Sequence, residues 1–189
     1  MVLPKKALLP MASASLAIGT AEAKPVAEQS LPKGVHLIEM RDTPHGVLSF
    51  YGDKRSTNNT LQDRSSSMPC ATEDPVMRCQ WKHQEARTDR CDNLIAALKA
   101  NSDVALGEQP RHVCINHVGQ CCTSWAKVTE DFPTWGSLVP GAEYLMKKCG
   151  DPFFHKVSGK LKTKEIGNGC VMQCIAKQPK HCHGKCYPR

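Results

Sequence analysis

Residues 169–189 read GCVMQCIAKQPKHCHGKCYPR, and the conformation assigned to this stretch decides the fold expected of the chain. It holds Cys170, Cys174, Cys182 and Cys186 as two C-x-x-x-C pairs, with Lys177, Lys180, Lys185, Arg189, His181 and His183 and no acidic residue. Residues four apart share one face of a helix, so each pair sets two sulfurs on one helical turn. Two such turns, cross-linked, would make a small helical hairpin. Alternatively the four cysteines reach back to Cys91, Cys114, Cys121 or Cys122. The second arrangement is the one expected, because the upstream cysteines need partners too. Zinc or redox chemistry competes with disulfides only in a reducing compartment.

The opposite end of the chain bears on the compartment. Lys5 and Lys6 precede an uncharged, mostly apolar run over 7–19, and Ala21-Glu22-Ala23 offers the small side chains a signal peptidase requires. The run falls short of the roughly 20 apolar residues that cross a bilayer. Residues 1–23 are therefore expected to be a signal peptide, and the protein to be secreted. The eleven cysteines are Cys70, Cys79, Cys91, Cys114, Cys121, Cys122 and Cys149 with the four above. Such a density reads as a disulfide scaffold, and all eleven are disulfide candidates. Neighbouring Cys121 and Cys122 should reach different partners, since a ring closed between them is strained. The odd count leaves one thiol free or paired between chains. Asn58 opens the sequon Asn58-Asn59-Thr60 in a polar run and is a glycosylation candidate. Neither a metal nor a cofactor is expected.

Beyond the signal peptide the chain has the length of one domain. Residues 24–33 read as a leader and 34–189 as a single cysteine-rich domain. Alternating side chains predict a hairpin with strands near 35–40 and 47–51. Lys54-Arg55 is a dibasic pair, so 34–55 would end a propeptide if it were cleaved; an ordinary charged loop is the preferred reading. A polar linker over 56–75 leads into a disulfide-stapled core over 70–189. The clearest helix is 88–100, with Asp89 as its cap and with Cys91, Leu94, Ile95 and Leu98 on one face. Cys91 should thus face inward and tie the helix to the core. Residues 112–115 predict a short strand, Cys121 starts a second helix running towards Thr129, and 140–148 predict a third. Residues 154–166 predict a pair of short strands around Ser158-Gly159. The fold class expected is α+β: a small disulfide-rich single domain with about three helices and a few short strands.

Several of these runs together resemble a known family. CDNLIAALKAN, PRHVCINHVGQCCTSW, KKCGDPFFHKVSG and NGCVMQC resemble the secreted fungal proteins of the WD-like domain family. Arg111, Cys114, Cys121, Cys122, Ser124, Trp125, Cys149, Ser158, Gly159, Cys170 and Cys174 occupy the positions of that pattern. The resemblance covers the chain from about residue 35 onward, and the last C-x-x-x-C has no place in it. It implies a small secreted fungal protein of effector-like character. It implies no catalytic activity, and so no functional residue.

The formal charge is +7, and residues 156–189 carry eight Lys and Arg against the single acid Glu165. Lys177, Lys180, Lys185 and Arg189 are the candidate basic surface. Such a surface suits an anionic membrane or an acidic wall polymer. Nucleic acid fits less well, because no aromatic stacking platform is interleaved with the charges. The chain lacks G-x-S-x-G, H-E-x-x-H and a phosphate-binding glycine loop. His112, His117 and His155 with Glu130 would serve a ribonuclease only if the fold gathered them. Trp81, Trp125 and Trp135 would serve carbohydrate stacking only if they were exposed; Trp125 is expected to pack on a disulfide. The function expected is a secreted, non-catalytic protein that is effector-like or binds a cell wall, with an unidentified protein, cell-surface or wall ligand as partner. The alternative is a basic antimicrobial or killer-toxin-like protein acting on membranes through its C-terminal segment.

Overall fold

The computed structural model describes residues 31–53, 77–79, 84–107, 110–116, 120–125, 133–166 and 169–179, with 162–166 and 169–171 described by backbone alone. In chain order the strands are β1 (Val35–Thr43), β2 (Gly46–Asp53), β3 (Met77–Cys79) and β4 (Ala86–Arg87). Helix α1 (Thr88–Ala100) leads to β5 (His112–Ile115) and β6 (Cys121–Trp125). A 3₁₀ turn (Trp135–Leu138) runs into α2 (Val139–Cys149), then β7 (Gly150–Asp151), β8 (Lys156–Val157), β9 (Gly159–Ile166) and β10 (Gly169–Ala176). Seven strands form one sheet in the order β1-β2-β5-β6-β10-β9-β3, and β4-β8-β7 form a small second one. Every neighbouring pair is antiparallel.

The protein is thus mostly β-sheet, which overturns the α+β expectation of three helices and a few short strands. One predicted helix and one helical alternative account for the difference. Cys121 begins strand β6, not a helix, and the Cys170/Cys174 spacing lies along β10, not around a helical turn. On a strand, residues four apart stand about 13 Å from one another, at ~3.3 Å per residue, not on one turn. The helical hairpin, which needs a helical turn at Cys170 and Cys174, is therefore excluded. Residues 156–166 do form two strands, but β8 and β9 belong to different sheets.

The elements that periodicity did identify are α1, α2, β5 and the β1–β2 hairpin. In α1, Cys91, Leu94, Ile95, Ala97 and Leu98 are buried. Asp89 is not its cap: Arg87 holds that position without a side-chain cap bond, and Asp89 sits in the first turn. Pro140 opens α2, where its missing N–H costs nothing. Gly150 closes it, and a Cβ there would collide with the carbonyl oxygen of Met146. Gly46, at φ +126°, ends the β1–β2 turn in a conformation that suits glycine.

Both helices cover one face of the large sheet. Helix α1 packs on β2, β5 and β6, and α2 on β3, β9 and β10. The main core forms there, from Leu48, Phe50, Leu94, Leu98, Val113, Ile115, Trp125, Trp135, Leu145, Leu161 and Ile175 among others. Trp135 meets Phe50 with ring centroids 5.0 Å apart. Because strand side chains alternate, Cys121 and Cys122 point to opposite faces. Cys121 joins the core and bonds Cys91 of α1; Cys122 bonds Cys114 directly opposite on β5. Cys79 bonds Cys149, which ties β3 to the end of α2. Cys91, Cys114, Cys121 and Cys122 therefore bond among themselves, and the expected bonds from the C-terminal cysteines back to them do not form. Cys174 is bonded too. The side chains of Cys70, Cys170, Cys182 and Cys186 lie outside the described residues.

Candidate functional site

The sheet face away from the helices is polar as well as buried. Register aligns His112 with Tyr51 on one side and Ser124 on the other, with Asp53 next along β2. His112 Nδ1 lies 2.9 Å from Ser124 Oγ, and its Nε2 lies 3.2 Å from Asp53 Oδ1. Ser124 donates its hydroxyl proton to the carbonyl of Pro179 at 2.8 Å. With that proton committed, Oγ is left to accept, so the ring nitrogens of His112 bridge the Ser124 hydroxyl and the Asp53 carboxylate. Ser, His and Asp are therefore together, but not as a nucleophile and its base. Ser124 is 2% exposed, and its proton goes to a backbone carbonyl. The cluster fixes β2, β5, β6 and the segment after β10 relative to one another. Neither composition nor spacing pointed to it; it depends on which residues β-sheet register sets side by side.

The residues singled out from sequence are scattered. His112 is buried on that face, whereas His155 is exposed on the turn between β7 and β8. His117 and Glu130 lie outside the described residues. Trp125 and Trp135 are each 2% exposed and belong to the core, so neither offers a face to a sugar; Trp81 lies outside the described residues. Trp125 shares its cluster with Cys91 and Cys121. Of the candidate basic surface, Lys177 is exposed at the end of β10, and its N–H donates to the Gln84 carbonyl at 2.8 Å. Lys180, Lys185 and Arg189, the signal-peptide segment, Lys54-Arg55 and Asn58 lie outside the described residues. Among the described residues no group of His, Cys, Asp and Glu is arranged to hold a metal ion, and no helix is long and apolar enough to cross a membrane.

A second feature escaped the sequence reading. Between β7 and β8, residues 152–156 are all exposed, and Phe153 and Phe154 are 87% and 73% exposed. Among the described residues, the next most exposed large apolar side chain is Met40 at 47%. Asp151 Oδ1 accepts from the N–H groups of Phe153 and Phe154 at 2.8 and 3.0 Å, folding the chain back as an Asx turn. The FF dipeptide inside KKCGDPFFHKVSG was a signal in plain view, but burial is the ordinary fate of phenylalanine.

A sequence model of the family described as fungal WD-like matches residues 48–182. That stretch holds most of β2, all of β3 through β10, both helices, the His112 cluster and the Phe153–Phe154 turn. Comparison with curated proteins and with solved structures returns no match.

Proposed function

The chain belongs to the fungal WD-like family, and we propose that it is a secreted, non-catalytic binding protein, effector-like or attached to a cell wall. The observation that carries this reading is the covalent frame. Three disulfides join α1 to β6, β5 to β6, and β3 to α2, so both faces of the sheet are pinned. Such bonds persist in an oxidising compartment, in keeping with the signal-peptide pattern of residues 1–23. The buried His112 and Ser124, with the exposed carboxylate of Asp53, are committed to holding strands together, which leaves the surface to do the binding.

Expression in a fungal host tests this directly. The protein is expected in the medium, with an intact mass that starts at Lys24 and cysteines that resist alkylation until reduced. Retention on insoluble chitin or glucan would mark the wall-bound form. A protein kept inside the cell with freely alkylated thiols would sink the reading.

The antimicrobial alternative keeps one structural support, the exposed Lys177. Its test is charge reversal at Lys177, Lys180 and Lys185, with growth inhibition and vesicle leakage as readouts.

A further inference from the structure

The Phe153–Phe154 turn is an apolar projection built on an unusually well-fixed base. Gly150 pairs with Val157 and Asp151 with Lys156 at its root. Arg87 of β4 pairs with Lys156 on the outer side, and the N–H of Thr88 donates to the His155 carbonyl at 2.9 Å. Cys149, immediately before the hairpin, is bonded to Cys79. Pro152 restricts the backbone further. The backbone beneath the two rings is thus held in one arrangement, and little backbone entropy remains to be lost when they are covered.

The charges around the hairpin favour one kind of partner. Lys147 and Lys148, both exposed, occupy the last turn of α2, which leads straight into β7. His155 and Lys156 come directly after the rings, and Arg87 and Arg90 lie across β4 and the start of α1. Of the acidic groups nearby, Asp151 is taken by the turn N–H groups, Glu85 lies 3.7 Å from Lys156, Asp89 2.9 Å from Arg87 and Glu143 2.6 Å from Lys99, while Asp92 lines the same hollow as Lys147. Lys147 and Lys148 have no ion pair among the described residues. A convex pair of rings with basic residues behind it matches an anionic bilayer, where rings enter the headgroup boundary and ammonium groups meet phosphates. A protein partner would instead need a pocket shaped to both rings.

We propose that the β7–β8 hairpin is a membrane-interface anchor, with Phe153 and Phe154 inserting into an anionic lipid surface and Lys147 and Lys148 engaging its headgroups. The inference stands apart from secretion and from wall binding, since purified protein and lipid suffice to test it. The full disulfide-bonded chain is mixed with vesicles of phosphatidylcholine, with and without phosphatidylserine, and sedimented. Binding is expected with phosphatidylserine present, falling as salt is raised. The double variant F153S/F154S should weaken it by about tenfold for each ring removed, and K147S/K148S should weaken it only on the anionic vesicles. F153W gives a second readout: its added fluorescence should be quenched by lipids brominated near the headgroup. The proposal is overturned if wild type ignores both vesicles, if F153S/F154S binds as wild type does, or if the F153W signal is unquenched. It is likewise overturned if sedimentation velocity shows a self-association that F153S/F154S abolishes, which would assign the rings to a second copy of the chain.

Discussion

Single residues in this protein act mainly by where they stop neighbours from moving. Gly159 is the sharpest case. A Cβ there would lie 2.8 Å from Cys149 Sγ and 3.2 Å from Leu145 Cδ2. The sulfur is bonded to Cys79 and has no other rotamer to adopt. Gly159→Ala is expected to cost roughly 1–3 kcal/mol, the usual range for overpacking, read as a lower midpoint in urea. Asp89 shows a gentler effect at the surface. Its carboxyl is held below the ordinary carboxylate range, first by the side-chain hydrogen bond from Arg87, and further by the charges of Arg87 and Arg90. A lowered value in the folded state means that the stabilisation is present above the ordinary range and lost as pH falls through the lowered one. Asp89→Asn should therefore flatten the acid limb of a stability-against-pH profile without changing the neutral midpoint much, since the pair is exposed.

At the level of elements, the disulfides close loops of very different length, and this ranks their effects. Cys79–Cys149 spans 70 residues, Cys91–Cys121 spans 30 and Cys114–Cys122 spans 8. Loop-closure entropy of the unfolded chain then assigns them roughly 4, 3.5 and 2.5 kcal/mol. Paired Cys→Ala variants are expected to lose stability in that order. A reversed order would place the effect of these bonds in native packing instead. The same elements show how far the sequence could be read. Helix α1 was legible because its buried face recurs at helical spacing beside a polar one. Strands β6 and β10 were not. They lie mid-sheet with both faces covered, so nearly every described side chain is buried, and no polar–apolar alternation survives to mark a strand.

For the molecule as a whole, the order β1-β2-β5-β6-β10-β9-β3 places the last described strand third from one edge. Residues 169–176 are thus an integral part of the sheet, not an appendage. Deleting everything from Asn168 onward should unfold the protein, seen as loss of the far-UV β signal and rapid proteolysis. A folded, protease-resistant product would contradict the topology. Composition and motif alone determined a good deal: a cysteine-dense chain, two of its helices, the first hairpin and the resemblance to fungal WD-like proteins all rest on local pattern. The pairing of Cys91 with Cys121 and Cys114 with Cys122, the His112–Ser124–Asp53 cluster and the exposure of Phe153 and Phe154 rest on the tertiary structure. Each depends on which strands lie side by side and which face each side chain takes. Local sequence spacing does not encode that, because in an antiparallel sheet it is set by contacts between residues far apart in the chain.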